Sequence, residues 1–525
     1  MQRRRFIQTL AGLAVLPLPV ARAAEADAGL RIGLAADITT FDPHWLNTAP
    51  NISAHSHVFE TLTRNDGDAR VVPGLAQSWK VIDANTWEFK LKPGVRFHDG
   101  SELTADDVVF SLERPNTLTG SPGPFTSATR PIADKTAVDK LTVRIRTRDA
   151  NYAPLPIDLD GIFIVSKRAA AKAGEDAFTR GTAAIGTGPY KLARFVPGES
   201  IELEAFADYH GAKPAFAKAL LRPQTNDAAR VAALLSGDVG AIENPPTADI
   251  AKLGKDARFR VEQKVSWRTI FLHLDHGRET TPFITAKDGK PLTTNPLRDL
   301  RVRRALSMAI NRAAIVSRVM EGNAVAASNL VSPPIFGHDP ALKPEAFDAA
   351  GARQLLADAG YPDGFALTLH GPADRYINDD QILQAVAQLL ARIGIAAKLQ
   401  TFPASTYFAR MRGGEFSVAL LGWGSQAGDL ALRSLLMTPD TASGHGAWNW
   451  GRYSNATLDA AVMKALTTLD PAAREAASRA AMGIAMKDVA AIPLHHQLAS
   501  WATRRDLRYA ARTDEFTFAF DFARA

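Results

Sequence analysis

The first half of the chain carries patterns typical of strands and hairpins. Residues 86–91 (TWEFKL) alternate polar and apolar side chains, which is the period of a half-buried strand. Turn residues follow at 92–94 (KPG) and 99–100 (DG). Thr104 then fits the N-cap of a helix, and Asp107 approximates the second half of a capping box. These residues predict a strand, a hairpin and a capped helix in close succession.

The second half of the chain is predicted to be more helical. Residues 300–319, 352–359 and 380–393 place apolar side chains three and four residues apart, which is typical of helices with one buried face. Short apolar runs at 395–400 and 416–423 predict strands. Helices that alternate with strands indicate an α/β domain.

The N-terminal segment has the features of an export signal. Arg3 and Arg4 begin a twin-arginine arrangement, and a short apolar run follows at residues 10–20. Residues 21–23 (ARA) fit the small-x-small rule for cleavage, which places the cleavage site after Ala23. The alternative is a membrane anchor, which requires about 20 apolar residues. We therefore expect an exported, periplasmic protein.

Composition narrows the class of protein further. The sequence has 61 lysine and arginine residues, of which four arginines lie in the predicted signal, so 57 remain against 55 acidic residues. This balance, without long basic runs, argues against nucleic-acid binding. The absence of cysteine excludes disulfides and thiolate chemistry. A chain of 525 residues is expected to form two or three domains.

Neither a metal site nor an enzyme active site is indicated by the motifs. Three histidine pairs have spacings that could suit a metal, but none has a third ligand at a suitable position: 55 and 57, 273 and 276, 495 and 496. We find no Gly-x-Ser-x-Gly or His-Glu-x-x-His motif. The paired acids at 106–107 and 379–380 stand at helix starts, where they favour the helix dipole. No metal and no cofactor are expected, and a secreted hydrolase is the alternative class.

Five segments, in this order, resemble the extracytoplasmic solute-binding proteins of ABC importers, family 5, the peptide- and nickel-binding type. Each is weak alone, but their shared order is specific. The segments are 72–79 (VPGLAQSW), 87–112 with GVRFHDG and TADDV, 186–190 (GTGPY), 302–312 (VRRALSMAINR) and 355–365 (LLADAGYPDGF).

The resemblance implies an α/β, periplasmic-binding-protein-like fold of the class II or cluster C type. Two lobes, made of three structural domains, would close on a solute through a hinge. The implied division is 1–23 signal peptide, 24–58, 185–272 and 500–525 domain I, 59–184 domain II, and 273–499 domain III.

The resemblance also implies the biological role. The protein would capture a peptide or peptide-like solute and deliver it to an ABC permease in the inner membrane, acting as a monomer. A nickel chelate, an opine or a sugar-like solute remains an alternative, because fold-level similarity does not select the solute.

Peptide-binding members of this family have an acidic residue a few positions after a Gly-Trp pair, which meets the peptide amino group. The corresponding segment here places Gln426 three residues after Trp423, and the next acid is Asp429. A neutral amide forms a weaker bond to an ammonium group than a carboxylate does. We therefore expect Asp429, rather than Gln426, to meet a cationic end, with Gln426 also lining the site.

The family likeness also implies an arginine that holds a carboxylate, and Arg375 is the candidate. It lies in a predicted strand-to-helix loop, where ligand clefts of α/β sheets are commonly lined. A guanidinium can hold a carboxylate through two parallel bonds. The alternative is a surface arginine paired with Asp374 or Asp379. Trp423, Tyr376 and Trp267 are predicted as further solute contacts.

Overall fold

A computed structural model describes residues 29–121 and 125–525. The predicted signal and its cleavage site lie outside these residues. One sheet of twelve strands and one of four strands organise most of the chain. Within the described part, no helix combines the length and apolar character needed to cross a membrane.

The first stretch of the chain begins the large sheet and then builds a separate four-stranded sheet. Its strands are β1 (Leu30–Leu34), β2 (Glu60–Thr61), β3 (Thr63–Asn65), β4 (Val71–Pro73), β5 (Ala76–Asp83), β6 (Thr86–Leu91), β7 (Ile132–Asp139), β8 (Thr142–Thr147) and β9 (Phe163–Ile164). Its helices are α1 (Ala49–His55), α2 (Ala105–Thr117), α3 (Thr126–Thr129), α4 (Leu155–Asp158), α5 (Lys167–Ala170) and α6 (Glu175–Thr179).

The four-stranded sheet has the antiparallel order β5-β6-β8-β7 and packs against α2 over its own core. The strand predicted at 86–91 is β6, and it is confirmed with the same bounds. The predicted capping box is also present, because the Thr104 amide donates to the Asp107 carboxylate (3.0 Å) at the start of α2. This unit lies within residues 59–184, for which domain II remains a prediction.

The middle stretch completes one half of the large sheet. Its elements are β10 (Tyr190–Val196), β11 (Ser200–Ala205), β12 (Lys218–Pro223), α7 (Asp227–Ser236), β13 (Ala241–Glu243), α8 (Thr247–Lys255) and β14 (Phe259–Leu274). Strand β1 lies between β12 and β13 and is parallel to both. The order β10-β11-β12-β1-β13 therefore joins the chain start to residues that follow some 200 positions later.

The last stretch builds the other half of the large sheet and returns to the first. Its strands are β15 (Ile284–Thr285), β16 (Ala324–Ala326), β17 (Ala366–Pro372), β18 (Ala396–Phe402), β19 (Val418–Gly424), β20 (Ile492–Arg504), β21 (Leu507–Arg508) and β22 (Ala523–Arg524). Its helices are α9 (Leu300–Met308), α10 (Arg312–Ala314), α11 (Ala349–Asp358), α12 (Asp379–Ala391), α13 (Ala404–Arg412), α14 (Gly428–Leu435), α15 (Ala456–Leu466) and α16 (Pro471–Lys487).

Two long strands, β14 and β20, connect the halves of the molecule. They pair antiparallel from Phe259 with Arg504 to Leu272 with Ile492, and the register shifts twice along the way. We call residues 275–491 the C-terminal lobe, and residues 29–258 with 505–525 the N-terminal lobe. The boundaries implied at 272/273 and 499/500 fall inside these two strands and remain predictions.

The helix predictions in the C-terminal lobe are mostly confirmed, with one correction. Helices α11 and α12 lie where apolar spacing predicted them. The continuous helix predicted over 300–319 is wrong, because α9 ends at Met308 and a new turn begins at α10. The Asn311 side chain accepts the Ala314 amide (2.9 Å) and caps this second start, which continues as a π-helix over Ile315–Val319.

Candidate functional site

A Gly-Trp-Gly segment at the end of β19 forms the centre of the candidate site. A Cβ atom at Gly422 would lie 2.6 Å from the Tyr376 ring, and one at Gly424 would lie 2.6 Å from the Trp267 indole nitrogen. Both glycines are therefore needed for two aromatic rings to approach the strand this closely. Trp423 lies between them, so its side chain leaves the opposite face of the strand.

Arg375 lies in the loop between β17 and α12, as predicted. The two acids that could have paired with it are otherwise engaged. The Asp379 carboxylate accepts the backbone amides of Arg375 (3.0 Å) and Tyr376 (3.1 Å), and Asp374 accepts the amide of Ala404 (2.8 Å). No described carboxylate forms an ion pair with the Arg375 guanidinium, which lies 5.4 Å from the centre of the Tyr376 ring.

A second guanidinium lies close enough to affect Arg375. Arg268, on β14, is itself paired with Glu515 (2.6 Å). Burial, followed by the charge of Arg268, lowers the pKa of Arg375. The charges of Glu515 and Asp379 act on Arg375 from a distance, but its guanidinium has no ion pair among the described residues, which favours a bound anion.

Both tryptophans predicted for the site have an indole N–H without an acceptor. The Nε1 atoms of Trp267 and Trp423 are buried and have no hydrogen-bond partner among the described residues. The Trp267 ring packs edge-on against the Phe516 ring, with 5.6 Å between the ring centres. The Trp423 ring packs in the same way against the Trp448 ring, with 5.0 Å between the ring centres. Buried donors without partners are costly, so these two N–H groups are candidates for solute contacts.

Gln426 connects the two lobes. Its Nε2 atom donates to the Oδ2 atom of Asp160 (2.7 Å), which follows α4 in the N-terminal lobe. The Oε1 atom of Gln426 is buried and has no partner among the described residues. The amide predicted to line the site therefore already binds one carboxylate and keeps one free acceptor.

The structure does not support the expectation that Asp429 meets a solute. This residue has no exposed surface, and its carboxylate forms two bonds to Arg474, of 2.8 and 3.2 Å. A buried carboxylate with its own guanidinium partner stabilises the fold and has no capacity left for a cation outside. Asp429 instead links α14 to α16.

Four residues at the junction were missed from the sequence. Asp160 and Asn65 line a cavity of about 90 Å³ between β3, α1 and the C-terminal segment. Arg268 and Glu515 pair across 247 positions of sequence. No local motif marks any of these residues, since their significance depends on partners that are distant along the chain.

The two lobes are in direct contact beside the site. Arg433 of α14 binds Asp158 (3.3 Å) and the hydroxyl of Tyr152 across the lobe junction. The backbone amide of Ala153 donates to the carbonyl of Leu466 (2.9 Å). These bonds hold the lobes together next to Asp160 and Gln426.

The first of the histidine pairs, His55 and His57, has structural partners. His55 bonds to the Thr40 carbonyl (2.9 Å), and His57 accepts the Ala519 amide (2.8 Å). Burial lowers the pKa of both residues to about 4, so both are neutral near pH 7. Within the described ranges, no three histidine, aspartate or glutamate side chains are grouped so that they could hold a metal ion.

Comparison with known families accounts for this architecture. The model for bacterial extracellular solute-binding proteins, family 5 Middle, matches residues 70–440. The chain belongs to the family 5 solute-binding proteins. The resemblance inferred from five short segments is thereby confirmed.

Among its relatives is di/tripeptide-binding protein 1 of Pseudomonas aeruginosa (strain UCBPP-PA14). It is 29% identical over 490 residues, which cover 87% of this chain and 86% of the relative. The dipeptide-binding protein of Escherichia coli (strain K12) is 30% identical over 389 residues, 69% of each chain.

A solved structure shows the same fold. It is the ABC transporter-associated periplasmic binding protein DppA from Helicobacter pylori in complex with the peptide STSA. It matches with a TM-score of 0.80 at 24% identity, over 95% of this solute-binding protein and 99% of that chain. The expected periplasmic-binding-protein-like α/β fold is confirmed.

Proposed function

We propose that this protein is the periplasmic solute-binding component of an ABC importer and that it captures a peptide or peptide-like solute between its lobes. The observation that carries the proposal is the Arg375 guanidinium, which is partly buried and has no carboxylate partner within the described chain. The peptide-binding relatives support the same solute class. The loaded protein would then present its solute, as a monomer, to an inner-membrane permease.

The carboxylate of the solute would bind at Arg375. The fork of N–H donors on a guanidinium matches a carboxylate. The indole N–H of Trp267, on the same face of β19 as Tyr376, adds a neutral donor, and the indole N–H of Trp423 is a further donor on the other face. Loss of hydration around an unpaired cation is unfavourable, so the site gains most from a solute that supplies a negative charge. This reasoning favours peptides or opine-like acids over uncharged sugars.

Binding of defined solutes tests the proposal directly. We expect di-alanine, tri-alanine or glutathione to raise the unfolding temperature, and maltose to leave it unchanged. A solute at 100 times its dissociation constant stabilises the folded state by about 2.7 kcal/mol. If none of the three peptides binds in calorimetry, the peptide assignment is rejected.

Lobe closure is a separate consequence. A solute held between two lobes favours the closed arrangement, so small-angle scattering should give a smaller radius of gyration with solute than without it. Saturable binding with an unchanged radius would contradict capture between lobes.

Export through the twin-arginine route would deliver the protein to the periplasm. Changing both Arg3 and Arg4 to lysine should retain the uncleaved precursor in the cytoplasm. Normal periplasmic levels of this variant would reject the route, and N-terminal sequencing of the mature protein tests cleavage after Ala23.

A further inference from the structure

A second polar cluster lies away from Arg375, where the N-terminal lobe meets Gln426. We call Asn65, Asp160 and Gln426 the junction triad. Asp160 and Asn65 line the cavity of about 90 Å³, and Gln426 reaches Asp160 from the C-terminal lobe. The triad therefore combines residues from both lobes at one place.

The triad has more hydrogen-bonding capacity than its own residues use. Asn65 is only 7% exposed, yet neither its Oδ1 nor its Nδ2 atom has a partner among the described residues. The Oε1 atom of Gln426 is also buried and has no hydrogen-bond partner among the described residues. Native proteins pair most buried polar atoms, so the two amide oxygens without partners in this triad indicate a missing ligand.

The basic residues around the cavity form no ion pair with Asp160, although the charge of Arg512 acts on it. Of the other lining carboxylates, Asp514 pairs with Arg512 (2.6 Å), and Glu60 bonds to His210 (2.8 Å). Arg512 is further engaged by Asp521 (3.1 Å), and the remaining lining cation, Arg64, is exposed. No described lysine, arginine or histidine forms an ion pair with Asp160. Burial, followed by the charge of Asp514, raises the pKa of Asp160 to about 7.

We propose that the junction triad is a subsite for a primary ammonium group of the solute. The three N–H donors of an ammonium group match the Asp160 carboxylate and the two free amide oxygens, and its charge supplies the missing counter-ion. Asp160 thus takes the role that the sequence had suggested for Asp429. This inference rests on the proposed function, since the ammonium group belongs to a peptide-like solute.

The subsite also explains how a solute could couple the lobes. Asp160 and Asn65 belong to the N-terminal lobe, and Gln426 belongs to the C-terminal lobe. An ammonium group bound by all three is held from both sides, so it stabilises the closed arrangement more than the open one.

Removal of the ammonium group alone provides the test. Calorimetry compares di-alanine with N-propionyl-alanine, in which a hydrogen atom replaces the ammonium group, on the wild-type protein and on Asp160→Asn. The wild type should bind di-alanine about 30-fold or more tightly than the analogue, because a buried charge pair is lost. Asp160→Asn should bind the two compounds with affinities within about threefold of each other.

A matched control lies in the same cavity. Glu60→Gln removes a lining carboxylate that already has partners, and it should keep the wild-type preference for di-alanine. Asn65→Ala is a second variant, which should lower the affinity for di-alanine and leave that for the analogue unchanged.

The outcomes separate the two proposals. If di-alanine binds the wild type but N-propionyl-alanine binds within about threefold, the triad holds no ammonium group and the peptide assignment stands. Retention of the full preference in Asp160→Asn overturns the subsite in the same way. If neither di-alanine, tri-alanine nor glutathione binds the wild type, the peptide function fails, and the subsite fails with it.

Discussion

Two helices of the C-terminal lobe, α12 and α14, have a charged residue at or just before their start that was predicted to bind a solute. In the structure one of these residues has a counter-ion and the other does not. Asp429 near the start of α14 is fully buried and bound to Arg474. Arg375, just before α12, is partly buried and has no acid partner among the described residues. The difference lies in whether the chain itself supplies the counter-charge.

This comparison shows what makes a charged residue available for binding. A buried ion requires a counter-ion or a set of hydrogen bonds, because removal from water is costly. Where the fold supplies the partner, the residue stabilises the fold. Where the fold does not, the residue gains its partner from a ligand.

The largest effect should follow from breaking the buried pair. Asp429→Ala leaves the Arg474 guanidinium buried without its partner, which should cost about 3–5 kcal/mol of unfolding free energy. Denaturant unfolding measures this loss. The double variant Asp429→Leu with Arg474→Met should recover much of it, and a loss below about 1 kcal/mol in Asp429→Ala would show that the pair is not structural.

The converse result is expected at the other helix. Arg375→Met should leave the unfolding free energy nearly unchanged, because no ion pair is broken. It should weaken peptide binding by about 2–5 kcal/mol, or about 30-fold and more, since the solute carboxylate loses its partner. Arg194→Ala is the control, because Arg194 is exposed and its pairing with Glu202 (3.6 Å) is weak. Equal affinities of Arg375→Met and Arg194→Ala would remove Arg375 from the site.

The pH dependence of stability tests whether Asp160 resembles Arg375 in lacking a counter-ion. The pKa of Asp160 is about 7 in the folded protein and 3.8 in the unfolded reference, so the folded state holds the extra proton between these values. Its contribution to stability is therefore present at low pH and is lost as the pH rises from about 4 through 7.

Subtraction of a variant isolates this contribution from other acids with raised pKa values, namely Glu243, Asp379, Asp514 and Asp521. The unfolding free energy of the wild type minus that of Asp160→Asn should fall between pH 5 and pH 7 and then become level. A difference that does not vary with pH would mean that the pKa of Asp160 is the same in the folded and unfolded states.

The smallest effect is expected at Trp423. Trp423→Phe keeps an aromatic ring against Trp448 and removes only the unpartnered indole N–H. A lost neutral hydrogen bond to the solute corresponds to about 0.5–1.5 kcal/mol, a roughly two- to tenfold weaker affinity. Trp450→Phe is the control on the same aromatic cluster. If the two variants bind a peptide equally well, the Trp423 indole does not donate to the solute.

Features that depend on neighbouring residues could be predicted from the amino-acid sequence. The alternation in 86–91, the Thr104–Asp107 capping box and the stripe of α12 require only local geometry, and the structure has all three. The ordered short segments were enough to identify the family. The glycines beside Trp423 were visible too, although the sequence did not reveal which rings would need the space.

Which charged residues lack a counter-ion could not be predicted without the three-dimensional fold. The Asp429–Arg474 pair spans 45 positions, the Gln426–Asp160 bond spans 266, and the Arg268–Glu515 pair spans 247. Asp429, three residues after Gln426, was a reasonable candidate from the sequence. Sequence spacing does not show that the Arg474 guanidinium approaches it from α16. Counter-ions depend on contacts between elements that are remote along the chain. For Asp429 these elements are α14 and α16 within the C-terminal lobe, and for Gln426 and Asp160 they are the two lobes themselves.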